Sequence, residues 1–345
     1  DALIKQSDED LHVLVRARNT QQARERLDKA FLENIVDPES RKAYEARVHV
    51  ILGDLEAPHL GLDDATWRRL ADGVETVYHN GALVNYLLTY DHMRAANVQG
   101  TSEVLDLCFT GRDKVLNYIS TTFIFGWAVK DFLYESDNND GMDRLDFGYS
   151  QTKWAAEQKV FQAMQQGLRA RVFRPSLVTP ALNGNGGNLD IALRLLSFIV
   201  KHGLGVRAGN QVSFMPADVS ADNMIAIACQ EETLGQTFHV VRDAHETMPM
   251  ITDIIAQRLG TCFEMYDLTS FVPQVIRRCT RADPLYPLLD FLVGSVDNIS
   301  RMEFKRYESS NYQLARDRVL VARADPPLEV VVDSILRFLK VRNLL

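Results

Sequence analysis

Tyr149-Ser-Gln-Thr-Lys153 places a phenol and an ammonium four residues apart, where the apolar spacing predicts a helix over 149–166. Both side chains then project from one face, one turn apart. An ammonium beside a phenol favours the phenolate, so Lys153 is expected to lower the pKa of Tyr149 from its usual value near ~10. Such a phenol can give a proton to a carbonyl oxygen at neutral pH. Upstream, Ile119-Ser-Thr-Thr-Phe-Ile-Phe-Gly126 closes a predicted buried strand. Sites of open α/β sheets collect at the carboxyl ends of strands, so the Thr121 hydroxyl can hold the same oxygen that Tyr149 protonates. Taken singly, YxxxK also fits a surface pair, and Ser120, Thr121 and Thr122 also fit a strand end capping a turn. The two motifs together describe a site that protonates a carbonyl oxygen.

The surrounding pattern supplies elements to position them. Apolar, β-rich runs of five to seven residues at 11–17, 48–54, 76–81, 115–121 and 170–174 alternate with helical periods at 21–33, 63–71, 93–109 and 149–166. Alternation of this kind predicts βαβ units: a doubly wound, Rossmann-type parallel sheet covered on both faces. From Ser176 the character changes to a Gly/Asn-rich loop (Asn183–Asn188), an apolar helix at 191–200, short strands and aromatic segments, and a closing helix over 328–342. We therefore expect a sheet domain over 1–175 and a smaller mixed α/β lobe over 176–345, with some of its segments returning to the sheet.

Composition bounds the function classes. The 345 residues are 46% apolar and 24% charged, enough for a sizeable core. Four scattered cysteines without a CxxC pair argue against a zinc site or disulfide framework and fit a reducing, cytoplasmic setting. The eight histidines lack ligand spacing, so no metal is expected, and His79 reads as a strand-end packing residue. A net charge of −8 disfavours nucleic acid. No apolar run is long enough to span a membrane. The charge is uneven: from Phe271 onward twelve Lys/Arg face nine Asp/Glu, which leaves an acidic body and a mildly basic C-terminal quarter.

With the Tyr–Lys and Thr motifs stand further stretches: Leu14-Val-Arg-Ala-Arg18, Gly53-Asp-Leu55, Val77-Tyr-His-Asn-Gly-Ala-Leu-Val-Asn85, Ala96-Asn-Val-Gln-Gly-Thr101 and Phe173-Arg-Pro-Ser176. In this order and spacing the chain resembles the extended short-chain dehydrogenase/reductases. More closely, it resembles the thioester reductase domains that end nonribosomal peptide synthetases, carboxylic acid reductases and aminoadipate reductase. The resemblance covers residues 11–176 and thins beyond. It implies NADPH-dependent release of an acyl or peptidyl thioester from a phosphopantetheine-bearing carrier protein, as an aldehyde or, after a second hydride, an alcohol. It also implies catalysis by Thr121, Tyr149 and Lys153, the last doubling as ribose anchor. Arg16 and Arg18 would meet a 2′-phosphate, Asp54 and Leu55 the adenine edge, Asn80, Gly81 and Ala82 the cofactor along the next strand end, and Pro175 and Ser176 the nicotinamide. Asn97 would brace the active-site strand with its amide, a place that a buried structural Asn also fits. A domain of a larger multienzyme is expected to be monomeric.

One departure stands out: the family's Gly-rich phosphate loop (TGxxGFxG) is not in this sequence. Asp1–Gln6 reads as the tail of the helix that follows that loop, so the loop and its strand are expected upstream of Asp1. Other readings of the same residues are an acyl-CoA reductase, another extended short-chain reductase or epimerase, and a non-catalytic docking module without cofactor binding. In the C-terminal lobe, Phe214, Met215, Met224, Met248, Met250 and Phe271 could line an acyl tunnel or simply pack the core. Arg277, Arg278 and Arg281, or Arg301, Lys305 and Arg306, could meet an acidic carrier.

Overall fold

A computed structural model of the chain describes all residues except 36, 127–129, 140, 146 and 302–304, and the side chains of residues 144 and 301. Six short parallel strands carry the first part of the fold: β1 (Leu11–Val15), β2 (Val48–Leu52), β3 (Thr76–His79), β4 (Val115–Ile119), β5 (Arg169–Pro175) and β6 (Thr237–Val240). β1 pairs with β2, and the other four form one sheet in the order β6-β5-β4-β3. The register sets Val77 against Leu116, Tyr118 against Val172 and Phe173 against Phe238, whose rings stack at 5.2 Å. Residues 170–173 of β5 are all buried. An unbroken buried run, rather than an alternating one, is what a strand covered on both faces requires.

The helices form where the sequence offers caps and an apolar stripe. Asn19 accepts a hydrogen bond from Gln22 N at 2.8 Å and opens α1 (Thr20–Asn34), and Asp63 accepts from Thr66 N at 2.7 Å and opens α2 (Asp64–Gly73). The helix expected over 93–109 is broken into three pieces. A first turn at Tyr90–Arg94 passes through a π-helical turn at Ala95–Gln99 into α3 (Gly100–Phe109). A widened turn of this kind is rare and concentrates at functional sites. Next, α4 (Gly148–Gln165) packs its Ala156, Val160 and Ala163 with Val104 and Leu107 of α3 against Leu116 and Val172 of the sheet. The short helix Ala2–Gln6 lies on the helix Ala217–Ala228, with Gln6 Nε2 donating to Asp222 O at 3.1 Å.

After β5 the chain builds a second core before and after it returns as β6. Leu193, Phe198 and Ile199 of α5 (Ile191–His202) meet Ile251, Phe271, Val275, Val331, Ile335 and Leu339 there. The strands Leu177–Thr179 and Leu204–Arg207 pair in parallel with Phe214–Pro216 and Glu264–Asp267. The sequence pattern missed the helices Pro38–Arg47, Ala217–Ala228, Leu268–Arg278 and Ser310–Asp317.

One ion pair is sealed inside the sheet domain. Arg174 on β5 donates to Glu157 of α4 through Nη2 (2.6 Å) and Nε (3.2 Å), and both side chains are at most 1% exposed. The guanidinium also donates to the Asp137 carbonyl at 2.9 Å and lies over the Phe125 ring at 5.1 Å. Removing one partner from such a pair leaves the other charge buried and uncompensated. Glu157→Gln should therefore lower the unfolding free energy by about 3–5 kcal/mol, read from the urea midpoint at neutral pH. A loss below about 1 kcal/mol would mean that water reaches the guanidinium.

Candidate active site

The carboxyl ends of the strands form one edge, and most of the expected residues line it. Arg16 directly follows β1. Its guanidinium, 61% exposed, bridges Glu56 at 3.1 Å and approaches Asp54 at 4.0 Å. Arg18 is exposed, its backbone N–H held by Gln22 Oε1 at 2.8 Å. Asp54 and Leu55 follow β2, where Asp54 Oδ1 accepts from Glu56 N at 3.0 Å. Asn80 and Gly81 follow β3 and are exposed, while Ala82 is half-buried. Gly81 has Leu55 directly against it, so a Cβ there would meet Leu55 Cδ1 at 2.8 Å. At the end of β5, Pro175 is buried, and Ser176 Oγ donates to Ser213 O at 2.9 Å.

Thr121, Tyr149 and Lys153 are brought together around the end of β4. Thr121 caps a 3₁₀ turn (Thr122–Phe125), its Oγ1 accepting from Phe123 N at 3.2 Å, and its side chain lies close enough to the Tyr149 hydroxyl to favour the phenolate. Tyr149 stands in the first turn of α4, which approaches the loop at 88–90 so closely that only glycine fits at 148. A Cβ on Gly148 would meet Leu88 O at 2.5 Å and Tyr90 N at 2.6 Å. Lys153, one turn on and 4% exposed, donates from Nζ to Ile119 O at 2.6 Å and lies 4.3 Å from the centre of the Tyr118 ring.

The electrostatics correct the first expectation. The Lys153 ammonium is turned to the Ile119 carbonyl and the Tyr118 ring, and burial pushes the Tyr149 phenol up to about 12, opposed by the nearby Thr121. Burial likewise lowers Lys153 to about 7, and the charge of Glu157, one turn further along α4, works against that fall. Tyr149 is thus a protonated donor at neutral pH. Its hydroxyl lies beside Thr121, and its helix is tied to the end of β4 by Lys153.

Of the two places the sequence allowed Asn97, the structure shows the buried structural one. It sits in the π-helical turn, accepts from Leu83 N at 2.7 Å, and donates to Leu83 O at 3.0 Å and Thr152 Oγ1 at 2.9 Å. It therefore ties the loop after β3 to the Tyr149 helix and leaves the active-site strand alone. His79 is buried, hydrogen-bonded to Thr101 Oγ1 at 2.9 Å, and lowered by burial to about 3, so it stays neutral. In the C-terminal half, Phe214, Met215, Met248 and Phe271 are core residues, Met224 packs beside them, and Met250 is exposed. Arg278 is bound to His202 O and Glu264, Arg277 to Gln274, and Arg281 is exposed. Lys305 is buried and donates to Gly126 O at 2.7 Å, so it belongs to the interior and not to a docking face. Arg306 is half-buried next to it. The side chain of Arg301 lies outside the described residues.

Sequence reasoning missed an aromatic cluster that reaches the phenol through Tyr86. Tyr86 meets Tyr149 edge-on at 6.1 Å and lies 5.6 Å from Phe147. Phe123 lies 5.6 Å from Phe147, and Phe291 lies 5.5 Å from Phe147 on another side. No spacing rule links residues 86, 123, 147 and 291; an aromatic beside each motif was the available signal.

The profile of an NAD-binding family described as Male sterility protein matches residues 1–224. The chain belongs to that family, as a thioester reductase domain of the extended short-chain dehydrogenase/reductases. Among curated relatives, the non-canonical nonribosomal peptide synthetase hkm10 of Aspergillus hancockii is 30% identical over 313 residues, 86% of this chain and 30% of the relative. The L-2-aminoadipate reductase large subunit of Candida glabrata is 32% identical over 281 residues, 76% of this chain and 20% of the relative. The chain thus spans less than a third of the length of either. In structure it superposes on the terminal R domain from the myxalamid PKS-NRPS biosynthetic pathway with a TM-score of 0.90 at 26% identity, covering 99% of this chain and 87% of that one.

A nicotinamide cofactor is implied by the family, and the edge fits one. At three strand ends stand the glycine close to Leu55, the exposed Asn80 and the exposed guanidinium of Arg16, groups that a dinucleotide could meet. For this reductase domain, a difference titration of tyrosinate absorbance between the wild type and Tyr149→Phe should show no phenolate from Tyr149 below pH 10. A difference midpoint near 8 would restore the ammonium-lowered phenol.

Proposed function

We propose that the chain reduces an acyl or peptidyl thioester, carried on the phosphopantetheine arm of a carrier protein, to an aldehyde with NADPH. The observation that carries this reading is the juxtaposition of Thr121, at the carboxyl end of β4, with the Tyr149 hydroxyl, and of Lys153 buried one turn along the same helix. Bound reduced nicotinamide supplies a hydride for the carbonyl carbon. As charge develops on the carbonyl oxygen, Tyr149 gives it the phenolic proton and Thr121 offers a second hydrogen bond, which stabilises the oxyanion where water is excluded. The resulting thiohemiacetal loses its thiolate, which takes up the hydroxyl proton, leaving the aldehyde and the free carrier thiol. A second hydride and proton give the alcohol.

In this reading Lys153 also holds the ribose, and Arg16 and Arg18 hold the 2′-phosphate, since a guanidinium pairs well with phosphate oxygens. Asp54 and Leu55 border the adenine, Asn80, Gly81 and Ala82 the cofactor along β3, and Pro175 and Ser176 the nicotinamide. The kinship with nonribosomal peptide synthetases supports a carrier domain as partner.

Incubating the protein with NADPH and an acyl-pantetheine thioester should consume NADPH and release the aldehyde, identified by mass. Tyr149→Phe should cut turnover by about 10²–10⁴-fold, the usual contribution of a positioned acid. Full turnover by that variant would overturn the assignment, and a marked preference for acyl-CoA would move the substrate to a soluble thioester. Replacing Arg16 and Arg18 together by Ala should raise KM for NADPH about tenfold or more while leaving KM for NADH nearly unchanged, the loss of one charge-assisted contact.

A further inference from the structure

An ammonium as deeply buried as that of Lys153 is costly unless something neutralises it. From its own helix, Glu157 acts on it one turn along, yet both Glu157 oxygens are taken by the Arg174 guanidinium, at 2.6 and 3.2 Å. Tyr149, one turn the other way, stays a neutral phenol. From β3, His79 is neutral as well, its Nε2 hydrogen-bonded to Thr101 Oγ1. What remains comes from β4: the Ile119 carbonyl at 2.6 Å and the Tyr118 ring, whose centre lies 4.3 Å from Nζ. Among the described residues Lys153 makes no ion pair.

Tyr118 is fully buried, and its hydroxyl has no hydrogen-bond partner among the described residues. Its contribution at this position is therefore the ring face, which carries negative electrostatic potential toward the ammonium. Burial lowers Lys153 to about 7, where a large share of the charge would be lost at neutral pH. The ring works against that loss.

We propose that Tyr118 is a positioning residue of this reductase: its ring face keeps Lys153 an ammonium and holds it at the end of β4. An ammonium carries three donors, and the Ile119 carbonyl takes one, which leaves N–H groups for a cofactor hydroxyl. That last role rests on the reading of Lys153 as ribose anchor; the hold of the ring on the ammonium does not.

Lysine isotope-labelled at Cε reports its charge by NMR, and the Lys153 signal is the one that disappears in Lys153→Met. Its titration midpoint should stay nearly unchanged in Tyr118→Phe, which keeps the ring. It should fall when residue 118 is a trifluorinated phenylalanine, similar in shape but with a far less negative face. In Tyr118→Leu it should fall by about one pH unit, the scale of one desolvated cation–ring contact. A midpoint equal in the fluorinated and plain phenylalanine variants, or one that falls as far in Tyr118→Phe as in Tyr118→Leu, would overturn the inference. The fluorinated ring decides the matter even where the leucine variant does not fold. NADPH binding, followed by its fluorescence, is the second readout. A group that must be charged to bind loses affinity as pH rises through its midpoint, so the upper pH limit of binding should move down with the NMR midpoint. Midpoints that shift while this limit stays fixed remove the ribose anchor alone, and NADPH binding with midpoints that do not shift removes the role of Tyr118 alone.

Discussion

A single hydrogen bond, from the Lys153 ammonium to the Ile119 carbonyl, fixes the distance between the helix that carries the phenol and the strand end that carries its hydroxyl partner. A lysine stem would otherwise leave its head mobile. Here burial of the whole side chain and the Tyr118 ring beneath the ammonium remove that freedom. The arrangement carries an electrostatic cost, visible in the depressed pKa of Lys153 and opposed by Glu157 on the same helix face. Glu157 in turn neutralises Arg174, the residue before Pro175. One carboxylate thus serves two cations, and through them the ends of β4 and β5 are held against the same helix.

The frame of the sheet domain was legible in the sequence because it depends on periodicity and punctuation. The runs at 11–17, 48–54, 76–81, 115–121 and 170–174 match β1 to β5 to within a few residues. Asp63 marked the start of α2 through a local hydrogen bond that sequence spacing alone encodes. The interruption at Ala95–Gln99 was invisible, because the widened turn follows from what Asn97 must reach in three dimensions and not from any local breaker. The helices at 217–228 and 310–317 were missed for a similar reason. Their buried faces meet elements distant in sequence, Tyr312 touching Asn223 across 89 positions.

The proximity of the candidate residues was legible in the sequence and their electrostatic balance was not. Spacing placed Thr121, Tyr149 and Lys153 near one another, as the fold does, since a helical turn and a strand end are geometric facts. The direction of the phenol's pKa was misjudged because a four-residue offset says which side chains share a face and nothing about what each one prefers to touch. A nearby peptide carbonyl captured the ammonium, and exclusion of water then decided the acidity. In the same way, Lys305 looked in sequence like part of a basic surface cluster, while in the fold its amine is folded inward onto the Gly126 carbonyl.

The ring of Phe291 closes over Phe147 from a part of the chain that contributes nothing else to the proton-donating group. The aromatic cluster next to the acid is therefore assembled jointly by two stretches of the chain more than a hundred residues apart. The packing beside Tyr149 thus depends in part on a residue that none of the sequence motifs contains.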